Sequence, residues 1–193
     1  TNFYAMADWQ VLKTKNFTVF YKTDTEFVAK QTLLNLETYQ EKVVKLTGNK
    51  NIGHTSVTIY NSGTMANGFS DPLFKRIGIL SYQPNSSFGN WYRLVNVHEY
   101  IHMGHLTKTG GLPKFFTTIF GNIFAPNLLS PGWIVEGITV YGESQQSSYE
   151  GRLNTGFFDA CMIVKAKEKK FPSIHTATHS PFEYPGGAGI YLY

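Results

Sequence analysis

At 193 residues, with 42% hydrophobic and 16% charged side chains, the chain has enough length and apolar content for one domain with a substantial core. A single cysteine, Cys161, excludes an internal disulfide framework. The net charge of +4 is partly local, in the run Lys165–Lys170, and reads as a solvated helix end; no recognised module for nucleic-acid binding accompanies it.

In chain order, Phe17–Tyr21 is aromatic and β-branched and predicts a strand. Phe27, Leu33, Leu34, Leu36, Val43, Val44 and Leu46 follow at helical spacing, and Gly48 ends that helix. Val57–Tyr60 and Ile77–Tyr82 predict two further strands, with Gly63 to Phe74 as a loop between them. Pro84, Asn85, Gly89 and Asn90 then punctuate the chain. From about Asn90 to Thr107, Trp91, Leu94, Val95, Val97, Ile101 and Leu106 recur at the spacing of a mostly buried helix, closed by Gly110, Gly111 and Pro113.

The greasiest stretch, Phe115 to Leu129, is too short to span a bilayer and is broken by Gly121, Asn122, Pro126 and Asn127. Its phenylalanines are expected in the core, with another domain or a membrane surface as the alternatives. Pro131-Gly132 stops the loop, and Trp133, Ile134, Ile138, Val140 and Tyr141 resume a helical pattern. Cys161 lies in the apolar stretch Phe157–Val164 and is expected to be a small core residue. Strands with one helix among them, followed by helices alone, make an α+β domain.

The predicted helix from Asn90 carries His98-Glu99-Tyr100-Ile101-His102. Residues at i and i+4 share one helix face, so both imidazoles can reach a single ion. Glu99 stands beside that position, where a general base for a zinc-bound water belongs. Two histidines satisfied in the core are the plainer alternative, and a third ligand would decide against it.

Two schemes for the third ligand compete. An extension to His-Glu-x-x-His-x-x-Gly-x-x-His fails, because His105 occupies the glycine position, Lys108 the last histidine position, and Gly104 is one place out of register. His105 is therefore read as an exposed or supporting residue. The other scheme takes Glu136, the only carboxylate between Glu99 and Glu143, from the later helix. A charge among Trp, Ile, Val and Tyr is costly to bury without a partner, and a divalent cation would be one. His98, His102 and Glu136 would leave a fourth position open, as in catalytic zinc sites.

His-Glu-x-x-His followed by Trp133-x-x-Glu136-Gly137 resembles the gluzincin branch of the zinc metallopeptidases, the thermolysin-like peptidase MA superfamily. Several segments are similar in order to the peptidase-like domain that precedes a Tol-type β-propeller in bacterial envelope proteins. They are Asn67-Gly68-Phe69, Ile77–Tyr82, Phe120–Asn127, Pro131-Gly132-Trp133 and Val140–Ser144, and the likeness spans most of residues 17–193. The resemblance implies a zincin-like domain over 1–193, a small mixed sheet packed on the motif helix and a glutamate-ligand helix. It implies one Zn2+ held by His98, His102 and Glu136, with Glu99 as the catalytic base. It also makes Ile77–Tyr82 the edge strand for an extended peptide and Gly63–Phe74 a loop over the cleft. Thermolysin has an acidic residue four places after its glutamate ligand, where this chain has Val140.

The implied activity is hydrolysis of a peptide or protein substrate in the periplasm or cell envelope, with an oxyanion donor among Tyr191, His175, His179, Tyr149 and Arg152. The chain is expected to be a fragment of a longer one, followed by a β-propeller. A zinc-binding interaction module of an envelope protein, weak or inactive in catalysis, is the alternative. A hydrolase of cell-wall crosslinks is another.

Overall fold

A computed structural model describes residues 8–84, 89–171, 173 and 175. The chain divides into two compact units, one of residues 1–86 and 90–129, the other of 87–89 and 130–193.

The first unit is a mixed sheet with helices. Strands β1 (Trp9–Lys13), β2 (Phe17–Lys22), β3 (Thr55–Tyr60), β4 (Gly68–Asp71) and β5 (Arg76–Leu80) stand in the order β1-β2-β3-β5-β4. β2, β3 and β5 run parallel, while β1 and β4 are antiparallel edges. The central parallel strands alternate, with one face apolar and buried and the other, at Ser56, Thr58 and Tyr60, half-buried or exposed. Phe17, Val19, Val57, Ile59, Ile77 and Ile79 are almost wholly buried.

Helix α1 (Glu26–Thr47) connects β2 to β3 and ends on Gly48, whose φ of 65° is the left-handed cap that glycine supplies at least cost. Helix α2 (Trp91–Leu106) begins at Asn90, whose side chain accepts the Arg93 backbone N–H at 3.1 Å. α1 and α2 approach closely at Gly104, where a Cβ would stand 2.9 Å from the Thr47 side chain. Asn49 closes the far end of α2, donating to the Gly104 carbonyl at 2.9 Å and to Thr107 Oγ1 at 3.0 Å. Tyr100 packs edge-on against Phe17 of β2, with ring centroids 5.1 Å apart.

In the first unit two expectations need correction. Ile77–Tyr82 is not the sheet edge: β5 pairs on both sides, and the edge is β4, inside the segment read as a loop. Gly-Phe-Ser-Asp is short and carries little strand propensity, so its pairing comes from β5 and from α2 beneath it. The helix expected from about Asn90 to Thr107 is α2, and beyond its end Gly111–Phe120 forms a further helix, α3, with Pro113 in its tolerant first turn. The phenylalanines of Phe115–Leu129 do not enter the core either. α3 buries no residue, and 3-10 turns at Asn122–Phe124 and Pro126–Leu129 continue it along the surface.

The second unit contains α4 (Gly132–Ser144) and α5 (Gly156–Lys167). The loop between them is tied by Asn154, which donates to the carbonyls of Ser144, Ser147 and Glu150 at 2.7–2.9 Å. Gly151 lies so close to α4 that a Cβ there would meet Ser144 Cα at 2.7 Å, and its φ of 95° is one that glycine accepts. Cys161 is only half-buried and α5 buries no side chain, against the expectation of a core thiol. Lys165–Lys170 forms the solvated end of α5, with Lys170 paired to Glu168 at 3.2 Å. No helix among the described residues is long and apolar enough to cross a membrane.

Candidate metal centre

The site begins with α2 lying under the β4 edge of the sheet. α2 is buried on every side from Leu94 to Gly104, and that burial takes in His98, Glu99 and His102 at 5–7% exposure. One turn apart, the histidines direct their Nε2 atoms at each other, 3.1 Å apart, with the rings nearly perpendicular at 81°. Zn–N bonds of 2.0–2.1 Å in a tetrahedral site would place two ligand nitrogens roughly 3.3 Å apart, so the spacing suits a shared cation.

Glu99 is held from the sheet. Ser70 Oγ on β4 lies 2.7 Å from Glu99 Oε2 and 2.8 Å from the Glu99 carbonyl oxygen, donating its proton within that pair. The approach depends on Gly68, where a Cβ would stand 2.6 Å from Val95 Cγ2 and 2.8 Å from Glu99 Cγ. Neither Ser70 nor Gly68 was named as a functional residue from the sequence. The visible signal was Asn-Gly-Phe-Ser ahead of the motif helix, but only the fold puts it over Glu99.

Glu136 lies on α4, half-buried, and its backbone carbonyl accepts Thr139 Oγ1 at 2.7 Å. His98 and His102 belong to the first unit and Glu136 to the second; the three are side chains of the kinds that could hold a metal ion. Two imidazole nitrogens and a carboxylate are a donor set that zinc accepts with a position to spare.

The other sequence candidates fall outside that group. His105 is half-buried at the end of α2, its backbone carbonyl accepting Asn127 Nδ2 at 2.8 Å, and burial, aided by Lys108, lowers its pKa. Arg152 is paired within its own unit with Glu143, at 3.3 Å, the carboxylate 1% exposed. Sequence reasoning did not single out Glu143, although a carboxylate in Val-Tyr-Gly-Glu-Ser on an apolar helix was its signal. Tyr149 is 77% exposed and His175 is exposed, while His179, Tyr191 and the terminal Pro185–Tyr193 lie outside the described residues.

Compared with known proteins, the chain matches no family model and no curated protein.

Proposed function

We propose that this chain is a zinc-dependent peptidase of the gluzincin type and zincin fold, with His98, His102 and Glu136 as metal ligands and Glu99 as general base. The observation that carries the reading is the buried pair of imidazole nitrogens 3.1 Å apart, next to a carboxylate held by a hydrogen bond from the sheet. A bound zinc ion would supply Lewis acidity, polarising the scissile carbonyl and making water easier to deprotonate. Glu99 takes the proton of the attacking water and returns it to the leaving amine. Ser70 keeps that carboxylate in one rotamer, so proton transfer does not wait on side-chain reorientation. The edge strand β4 offers backbone N–H and C=O groups to an extended peptide, which would add as a further strand. An extracytoplasmic setting and a following propeller belong to the same proposal and rest on the resemblance alone.

Zinc content of the purified, unsupplemented protein is the first test, followed by a peptide-hydrolysis assay of the native chain and Glu99→Gln. One zinc per chain, turnover by the native protein and none by Glu99→Gln is the expected result. Absence of zinc after dialysis against a modest excess would overturn the ligand assignment. Bound zinc without hydrolysis of peptides or peptidoglycan fragments would establish the interaction-module reading instead.

A further inference from the structure

The apolar residues of α3 fall at Leu112, Phe115, Phe116, Ile119 and Phe120, which is one face of a helix, while Lys114, Thr117 and Thr118 make the other. Thr117 and Thr118 both return their hydroxyl protons to the Lys114 carbonyl, so the polar face is narrow and locally satisfied. The apolar face is turned outward, with Leu112 69% exposed and Phe115 and Phe120 59%; Ile123 and Leu129 in the turns after it are exposed as well. Phe116 gathers the neighbouring rings, with centroids 5.6 Å from Phe115, 6.5 Å from Phe120 and 5.8 Å from Phe124.

This arm is fastened to its own unit by a few defined contacts. Ala125 is buried, Asn122 Nδ2 donates to the Pro72 carbonyl at 2.7 Å, and Asn127 Nδ2 donates to the His105 carbonyl. The contact at Pro72 joins the arm to the β4–β5 turn, where Leu73 and Phe74 are also exposed and the Arg76 guanidinium lies 4.8 Å from the Phe74 ring. Asp71, the one carboxylate in that turn, is paired with Arg76 at 3.1 Å.

Charge and composition say what would cover such a face. From Tyr100 to Val135 there is no Asp or Glu, while Lys108 and Lys114 are present. Over residues 111–129 there is also no Tyr, Trp or Arg, the residues most enriched at the hot spots of protein interfaces. Phenylalanine, isoleucine and leucine backed by lysine and threonine make instead the composition of a helix lying in a bilayer interface. We propose that α3, the 3-10 turns after it and the Leu73-Phe74 turn form an amphipathic arm that docks this protein onto an anionic phospholipid bilayer. The phenylalanines enter the acyl boundary, and Lys114, Lys75 and Lys108 stay at the level of the phosphates.

The test is co-sedimentation of the native chain with vesicles of phosphatidylcholine alone and of an equal mixture with phosphatidylglycerol. Binding is expected to the mixed vesicles, weakened by added salt. Phe120→Ser and Ile123→Ser should each lower the partition coefficient about tenfold, from the apolar burial lost. Both positions are exposed, so neither change should disturb folding, which circular dichroism checks. Phe120→Trp gives a second readout: its added fluorescence should shift to the blue with mixed vesicles and be quenched by brominated lipid acyl chains. Failure to sediment, or sedimentation unchanged by both serine substitutions, would overturn the proposal. So would self-association that the serine substitutions abolish, since a second copy would then cover the face. None of these outcomes depends on zinc or on hydrolysis.

Discussion

Ser70 and Glu99 meet across the gap between the sheet edge and the motif helix, the hydroxyl 2.7 Å from one carboxylate oxygen and 2.8 Å from the carbonyl of the same residue. A hydrogen bond to a charged group contributes about 1.5–3 kcal/mol, and here it acts on the rotamer of the proposed base. Ser70→Ala should therefore lower kcat by roughly tenfold to a hundredfold, with KM nearly unchanged and zinc content intact. Ser70→Thr keeps the hydroxyl and should recover much of the rate. Equal rates in Ser70→Ala and the native chain would remove Ser70 from the mechanism.

That contact also marks the limit of what the sequence makes legible. The α2 pattern and the Gly48 stop are read without difficulty because apolar spacing and a left-handed cap are local properties. The edge β4 is not: Gly68–Asp71 has no alternation and little propensity, and it becomes a strand only because β5 pairs with it and Gly68 lets α2 come close. The exposed phenylalanines of α3 read from the sequence as core because apolar content says that a face wants covering, without saying by what. His98, Glu99 and His102 were legible because their chemistry depends on a spacing within one helix.

Gly68 sets a separate prediction. A Cβ there would stand 2.6 Å from Val95 and 2.8 Å from Glu99 Cγ, so Gly68→Ala must push β4 off α2 or turn Glu99 away. Overpacking of this kind typically costs about 1–3 kcal/mol. The denaturation midpoint should fall, and hydrolysis should fall further than the loss of folded protein accounts for. A variant as stable and as active as the native chain would show that the strand has room to spare.

Metal affinity should separate Glu136 from His105. Loss of a supporting partner alone typically weakens a zinc site about 10–100-fold, so removal of a ligand in Glu136→Ala should cost at least that much. His105→Asn should leave affinity unchanged, since His105 is not among the three proposed ligands. Competition with a chromophoric chelator measures both. The reverse ranking would mean that the third ligand has been misassigned.

The buried pair Glu143–Arg152 predicts a structural effect in the second unit. With the carboxylate 1% exposed and the guanidinium 15%, Glu143→Gln removes one charge of a desolvated pair. Breaking such a pair typically costs about 3–5 kcal/mol. Chemical denaturation should show a loss of that order. A loss below about 1 kcal/mol would place the pair with surface ion pairs in energy, despite its burial.

Tyr100 gives the pH dependence. Burial pushes its phenol up to about 12, against an ordinary value of 10.0, with a hydrogen bond from Gln40 acting the other way. The folded chain therefore holds a proton that the unfolded chain releases above pH 10. Stability from this group is fully present below pH 10 and is lost as pH rises from there toward 12. At about 1.4 kcal/mol per pH unit, the loss approaches roughly 2–3 kcal/mol across that window. Tyr100→Phe cannot ionise, and the T-shaped contact with Phe17 at 5.1 Å survives the change. The variant should lose the alkaline slope while giving up at most the small contribution of the Gln40 hydrogen bond at neutral pH. Urea midpoints taken from neutral pH to strong alkali would show this as two curves that converge or cross above pH 10. Parallel curves would mean that another tyrosine or lysine carries the alkaline transition.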